Sequence, residues 1–192
     1  DDSFFHMLRS ERICPHVHLP LQSGSPKILA AMGRPYSVDY YRTLVHELRA
    51  AYPHLAIGTD IMVGFPGEDD VSFEESFRFL ATLPLTDLHL FSYSRRPGTR
   101  AAAFPGQVEE STKKNRIVRL RRLSAEKRAA FIASQQGSFQ EVLVTGAGDA
   151  RLIGLTANYI RIRVPGNAVK GDIFPARIDA SSSLGMGGQG YG

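Results

Sequence analysis

The stretch Ile57-Gly58-Thr59-Asp60-Ile61-Met62-Val63-Gly64-Phe65-Pro66-Gly67-Glu68 constrains this chain more than any other. Its first half is apolar and β-favouring, which predicts a buried strand over 56–63. Its second half predicts a turn, because Gly64, Pro66 and Gly67 neither extend a strand nor enter a helix smoothly. Asp69 and Asp70 then offer carboxylates to the free N–H groups of a following helix. One carboxylate, Asp60, lies inside the apolar run. Burying a carboxylate without a partner is costly. Asp60 therefore needs either a bound ligand or a structural partner on a neighbouring strand, and both readings stay open.

The flanking segments suit a parallel sheet. Residues 1–12 read as a helix with Phe4, Phe5 and Leu8 on one face. No strand precedes it, so the chain is expected to start partway through a domain. Val17–Leu21 reads as a short strand interrupted by Pro20. Ser25-Pro26 predicts a helix start, with Ile28, Leu29 and Met32 on its apolar face and Gly33 at its end. Ser37 caps a second helix carrying Tyr41, Leu44, Val45 and Leu48, stopped by Pro53. Phe73, Phe77 and Leu80 mark a third, and Leu88–Tyr93 another strand. The order β-α-α-β-α-β has crossovers long enough for parallel pairing. Such folds bind ligands outside the carboxyl ends of their strands. Gln22–Ser25, Gly64–Glu68 and Ser92–Thr99 occupy those ends, either as one shared site or as ordinary polar loops.

Beyond a break at Ala101–Gly106, Ser111–Gln136 reads as one long helix crowded with lysine and arginine. Short β-rich runs follow at Gln140–Thr145, Leu152–Leu155, Tyr159–Val164 and Ile173–Ile178, separated by glycines, which predicts a small antiparallel β-barrel. Residues 181–192, rich in Ser and Gly, are expected to form a flexible tail. Residues 94–136 carry eleven basic and three acidic groups, whereas residues 1–93 carry seven and twelve. This asymmetry points to a polyanionic partner or to a solvated helix face. The 43% apolar share argues against disorder. No apolar run has the length of a membrane span, so no membrane partner is expected. Cys14 is the sole cysteine. It cannot form an internal disulfide or ligate a metal cluster by itself, and this agrees with a cytoplasmic location.

Four strings, in order and spacing, resemble the methylthiotransferase family of radical S-adenosylmethionine (SAM) enzymes. They are His18-Leu19-Pro20-Leu21-Gln22-Ser23-Gly24-Ser25, Met32-Gly33-Arg34-Pro35-Tyr36, Thr59 through Glu68, and Tyr93-Ser94-Arg95-Arg96-Pro97-Gly98-Thr99. Gly154-Leu155-Thr156-Ala157-Asn158-Tyr159 resembles part of that family's TRAM domain, an RNA-binding barrel. The string from His16 to Ser25 is most similar to the MtaB-type branch. That likeness implies a parent enzyme converting N6-threonylcarbamoyladenosine beside the tRNA anticodon into its 2-methylthio derivative. The branch acting on N6-isopentenyladenosine is the alternative.

The resemblance implies an α/β fold: the C-terminal half of a partial (β/α) radical SAM barrel over residues 1–104, a basic connecting helix over 105–136, a TRAM-like barrel over 137–180, and a tail. The family's Cys-x3-Cys-x2-Cys loop and three further cysteines are missing here. The two 4Fe-4S clusters are therefore expected only in a longer parent, with no catalytic or metal-binding residue in this chain and no activity on its own. For SAM, the resemblance assigns Gln22 and Asp60 to the ribose hydroxyls, Arg34 to the methionyl carboxylate, and Val63, Gly64 and the Tyr93 backbone to the adenine. His16 and His18 read as structural.

For the tRNA anticodon arm the candidates are Arg95, Arg96, Arg119, Arg122, Tyr159, Arg161 and Arg163. The last three alternate along one expected strand, which would put them on one face. A rival reading places Tyr159 in the core and leaves the arginines as solubilising charges. A second function class also stays open: an RNA-binding module in which the α/β part is only a scaffold. An open half-barrel with uncovered strand edges would in addition favour self-association.

Overall fold

The computed structural model describes residues 2–10, 12–148, 151–164, 168–179 and 183–186. The element order is α1 (Asp2–Met7), β1 (His16–His18), α2 (Pro26–Ala31), α3 (Val38–Ala51), β2 (Ala56–Val63), α4 (Asp70–Thr82), β3 (Asp87–Ser92), a 3-10 turn (Arg100–Ala103), α5 (Glu110–Ser134), β4 (Phe139–Gly148), β5 (Arg151–Thr156), β6 (Ile160–Val164), β7 (Ile173–Arg177) and β8 (Ser183–Met186). One sheet has the order β1-β2-β3 and the other β7-β4-β5-β6-β8. The chain divides into two compact units, 18–53 with 57–127, and 1–17 with 54–56 and 128–192. The units are thus discontinuous in sequence.

In the first unit, β2 and β3 pair in parallel, with Asp60 opposite His89 and Val63 opposite Ser92. The expected strand 17–21 is shorter. It ends at His18, and pairing resumes as a single bridge between Gln22 and Ile61. Pro20 has no N–H to donate, which accounts for the gap. Helix α3 starts where Ser37 Oγ accepts from the Tyr40 N–H, and it buries Tyr41, Val45 and Leu48. Helix α4 is capped by Asp69, whose carboxylate accepts from the Ser72 N–H. It buries Phe73, Phe79 and Leu80, while Phe77 stays half-buried. Ser25 precedes Pro26 as expected, but its hydroxyl donates to Glu75 instead of capping α2.

In the second unit, α1 is confined to Asp2–Met7. The β-rich segment forms an antiparallel five-stranded sheet whose core is Val142, Val144, Ile160, Ile162, Val164 and Ile178, packed with Phe131. Gly154 lies against this core. A Cβ there would sit 2.3 Å from Val142 Cγ1 and 2.7 Å from Val164 Cγ1. The expected tail needs one correction: Ser183–Met186 pairs with β6 as strand β8. Ladder hydrogen bonds come from the backbone, so a Ser/Gly-rich segment supplies them as well as an apolar one. The rest of 181–192 lies outside the described residues.

Strand β6 begins at Ile160, not Tyr159. Tyr159 has φ +69°, in the left-handed region. It closes a turn through its N–H to the Thr156 carbonyl, at 2.9 Å. The strand period starts one residue later, so Tyr159 does not share the alternation of Arg161 and Arg163. Ile160, Ile162 and Val164 face the core and the two arginines are exposed.

Candidate functional site

The carboxyl ends of β1, β2 and β3 are joined by backbone bonds. The Gln22 N–H donates to the Asp60 carbonyl (2.8 Å), the Met62 N–H to the Gln22 carbonyl (2.9 Å), and the Tyr93 N–H to the Val63 carbonyl (2.8 Å). Gln22, Asp60, Val63 and Tyr93 are therefore neighbours at one end of the sheet. Gln22 has φ +73°. A non-glycine residue held in that region carries local strain, a feature that clusters at functional sites.

Asp60 has structural partners. Its Oδ1 lies 2.8 Å from His18 Nε2 and 3.5 Å from His89 Nδ1. The two imidazoles sit 4.6 Å apart, tilted by 44°. Neighbouring strands thus satisfy this carboxylate, the structural alternative that its burial left open. Burial, followed by the nearby His18, holds the His89 pKa below the ordinary histidine range. His89 escaped sequence reasoning because only the parallel register places it opposite Asp60.

Two basic side chains of α5 brace the turn after β2. Lys113 is buried, and its Nζ donates to the Tyr93 carbonyl (3.0 Å) and to Glu110 (2.7 Å). Gly64, at φ +77°, lets the Lys113 stem pass; a Cβ would lie 2.4 Å from Lys113 Cγ. Glu68 accepts from the Gly64 N–H (2.9 Å) and from Arg116 Nη1 (2.9 Å). Arg116 also donates to the Glu68 carbonyl and to Asp70. Burial raises the Glu68 pKa, and the Gly64 N–H and Arg116 pull it back only in part.

Much of the basic charge in α5 is therefore used inside the protein. Lys113 and Arg116 are buried. Lys127 donates to the Ala81 and Leu83 carbonyls at the end of α4, and burial pulls its pKa down to about 8. Arg119, a candidate for RNA, pairs with Glu74 and lies over the Phe73 and Phe77 rings. Arg122 is exposed. A count of charges along the sequence does not reveal which of them face inward.

Of the other candidates, Arg34 is exposed, with its N–H on the Leu29 carbonyl. Its charge lowers the pKa of Tyr36, which burial raises by more. The Tyr36 hydroxyl donates to the Pro20 and Leu21 carbonyls beside Gln22. Arg95 is exposed and donates from Nε to the Ala102 carbonyl, and Arg96 is exposed. Tyr159 is half-buried and packs on His16, ring centroids 4.4 Å apart. That stacking corrects its expected place on an open face with Arg161 and Arg163.

Tyr93 is 7% exposed, and its hydroxyl is buried with no hydrogen-bond partner. Such orphaned groups are rare and invite a ligand. SAM presents hydroxyl, amino and carboxylate groups, so the polar strand ends and the Tyr93 hydroxyl fit it. An iron–sulfur cluster does not fit: it needs several cysteine thiolates, and this chain has one exposed cysteine. Among the described residues, no helix is long and apolar enough to cross a membrane.

Comparison with known proteins agrees with the parallel part of the fold. Residues 2–80 match the profile of the Radical SAM superfamily. A tRNA-2-methylthio-N(6)-dimethylallyladenosine synthase 1 of Mycobacterium marinum is 40% identical over 94% of this chain and 33% of its own length. Synthases of the same name from Bartonella henselae and Desulfotalea psychrophila are 36% and 37% identical, over 95% and 92% of this chain. The chain spans 33% to 41% of the length of these relatives. Their names do not support the threonylcarbamoyladenosine branch that the His16–Ser25 string resembles. Residues 2–80 are thus similar to the Radical SAM superfamily, and most of the chain is similar to part of these synthases.

Proposed function

We propose that this chain is part of a tRNA methylthiotransferase acting on N6-dimethylallyladenosine, also called N6-isopentenyladenosine. The observation that carries this reading is the likeness, over nearly the whole chain, to synthases named for that product. It displaces the threonylcarbamoyl substrate, which rests only on the resemblance of one short string.

On this reading the ends of β1, β2 and β3 would hold SAM, which when bound would supply the methyl group and the radical chemistry. Gln22 and the second oxygen of Asp60 take the ribose hydroxyls, since Asp60 Oδ1 is engaged by His18 and His89. Arg34 pairs with the methionyl carboxylate. Val63 and Gly64 line the adenine, and the buried hydroxyl of Tyr93 gains a partner. Lys113, Arg116 and Glu68 hold the turn that presents Gly64. The clusters need cysteines beyond the one in this chain, so they belong to other parts of a longer protein, and this chain alone is inactive. The antiparallel unit acts as a TRAM-like RNA module.

For RNA, the reading rests on Arg161 and Arg163, exposed at alternating positions of β6, and on Arg95, Arg96 and Arg122. Arg119, tied to Glu74, contributes less. Filter binding of a tRNA anticodon stem-loop across a salt series tests it. Affinity should fall steeply with salt. Replacing Arg161 and Arg163 with alanine should flatten the slope by about one unit for each phosphate no longer engaged. An unchanged slope in a folded double variant removes both arginines from the interface.

A further inference from the structure

We propose that His18, Asp60 and His89 form a binding site for one divalent transition-metal ion of the Zn2+/Fe2+/Co2+ class. Their donor atoms, His18 Nε2, Asp60 Oδ1 and His89 Nδ1, all lie within 4.8 Å of one another. Their side chains are 22% to 30% exposed, so the site is sheltered yet open to solvent on one side. The spacings of 2.8 Å and 3.5 Å from Asp60 Oδ1 to the two nitrogens suit coordination. Bonds of about 2.0–2.1 Å place neighbouring ligand atoms roughly 2.9–3.4 Å apart. A small movement of either ring brings all three donors to bonding distance. The 2.8 Å spacing is also hydrogen-bond length, so His18 and Asp60 hold one another close whether or not an ion is bound.

The scaffold suits such a site. Asp60 and His89 are direct partners in the parallel register of β2 and β3. His18 ends β1, and the Leu19 N–H after it donates to the Gly58 carbonyl of β2 at 2.9 Å. Donors set on paired strands hold their geometry better than donors on loops. Two imidazoles and one carboxylate favour borderline transition ions over Mg2+ or Ca2+, which prefer oxygen ligands. Three protein ligands leave coordination positions open for water or another small donor. The site rests on side-chain geometry alone and does not depend on the methylthiotransferase reading.

The test is titration of the chelator-treated chain with Co2+, followed by visible absorption, and with Zn2+ in competition. One equivalent should bind with ligand-field bands, and the ion should raise the unfolding temperature. His18→Ala and His89→Ala should each weaken binding by at least roughly tenfold, since even the loss of an outer-shell partner costs that much. Asp60→Asn, which preserves side-chain shape, should do the same and keeps the test decisive if an alanine variant fails to fold. Cys14→Ser and His46→Ala, at exposed positions outside the triad, should bind like the parent. Absence of stoichiometric binding by the parent would overturn the proposal. So would full binding by folded triad variants, or loss of binding on Cys14→Ser or His46→Ala.

Discussion

Replacing Arg116 with alanine will cost about 3–5 kcal/mol of stability, the range for breaking a buried ion pair by deleting one partner. The Arg116 and Glu68 side chains are 6% and 5% exposed, so neither charge has water to fall back on. Deletion leaves the Glu68 carboxylate with the Gly64 N–H but no cation, and it frees the Glu68 carbonyl and Asp70. The loss should depend on pH. Burial already raises the Glu68 pKa, and removing Arg116 raises it further. A carboxyl whose folded pKa lies above its unfolded value contributes stability that is fully present below the unfolded pKa. That contribution is lost as pH rises through the folded pKa. The variant should therefore come closest to the parent in acid and fall behind as pH rises through its Glu68 pKa. Arg116→Lys keeps the charge but loses the two-pronged fork, so it should lose less. Urea unfolding across a pH series measures all three; a loss below about 1 kcal/mol at neutral pH would show that the pair contributes little.

Asn158→Leu should produce the second large loss. Asn158 is fully buried in the turn between β5 and β6. Its Nδ2 donates to the His54 carbonyl (3.1 Å) and to Gln135 Oε1 (3.3 Å), and its Oδ1 accepts from the Thr156 hydroxyl (2.6 Å). Gln135 Oε1 also lies 2.7 Å from His54 Nδ1. Leucine matches asparagine roughly in volume but pairs with none of these groups. Each buried group left unpaired costs about 1–3 kcal/mol. The expected sum is about 2 kcal/mol, because Gln135 keeps its histidine and the Thr156 oxygen keeps the Ile160 N–H, while the Thr156 O–H and the His54 carbonyl lose the Asn158 partner. Thermal unfolding of the folded variant checks this; an unchanged midpoint would mean that the network is replaceable by packing.

The strand 56–63 was legible in the sequence to the residue, because an apolar run closed by Gly-Phe-Pro-Gly leaves little choice. Helix α3 was legible for the same kind of reason: a Ser37 cap, helical spacing and a stop at Pro53. Features that depend on partners distant in sequence were not. Asp60 was marked as needing a partner, but the identity of His89 follows from register. The α5 charges counted toward a polyanion, yet Lys113, Arg116 and Lys127 are turned to carbonyls and carboxylates of the same chain. At Tyr159 the period-two pattern runs one residue too far into a turn held by Thr156. For the proposed SAM site, the strand-end loops were legible from their glycines and polar residues. The unpaired Tyr93 hydroxyl was not, since only packing shows which groups lack partners.

The central claim is methylthiotransfer to dimethylallyladenosine in tRNA. The most direct measurement is mass analysis of tRNA nucleosides from a host lacking its own methylthiotransferases and supplied with the complete reading frame that contains this chain. The account predicts that 2-methylthio-N6-dimethylallyladenosine appears, and that it fails to appear when Asp60 is replaced by alanine in a protein that still folds. Absence of any 2-methylthio nucleoside from a soluble, cluster-loaded protein would contradict the function, and 2-methylthio-N6-threonylcarbamoyladenosine alone would contradict the substrate.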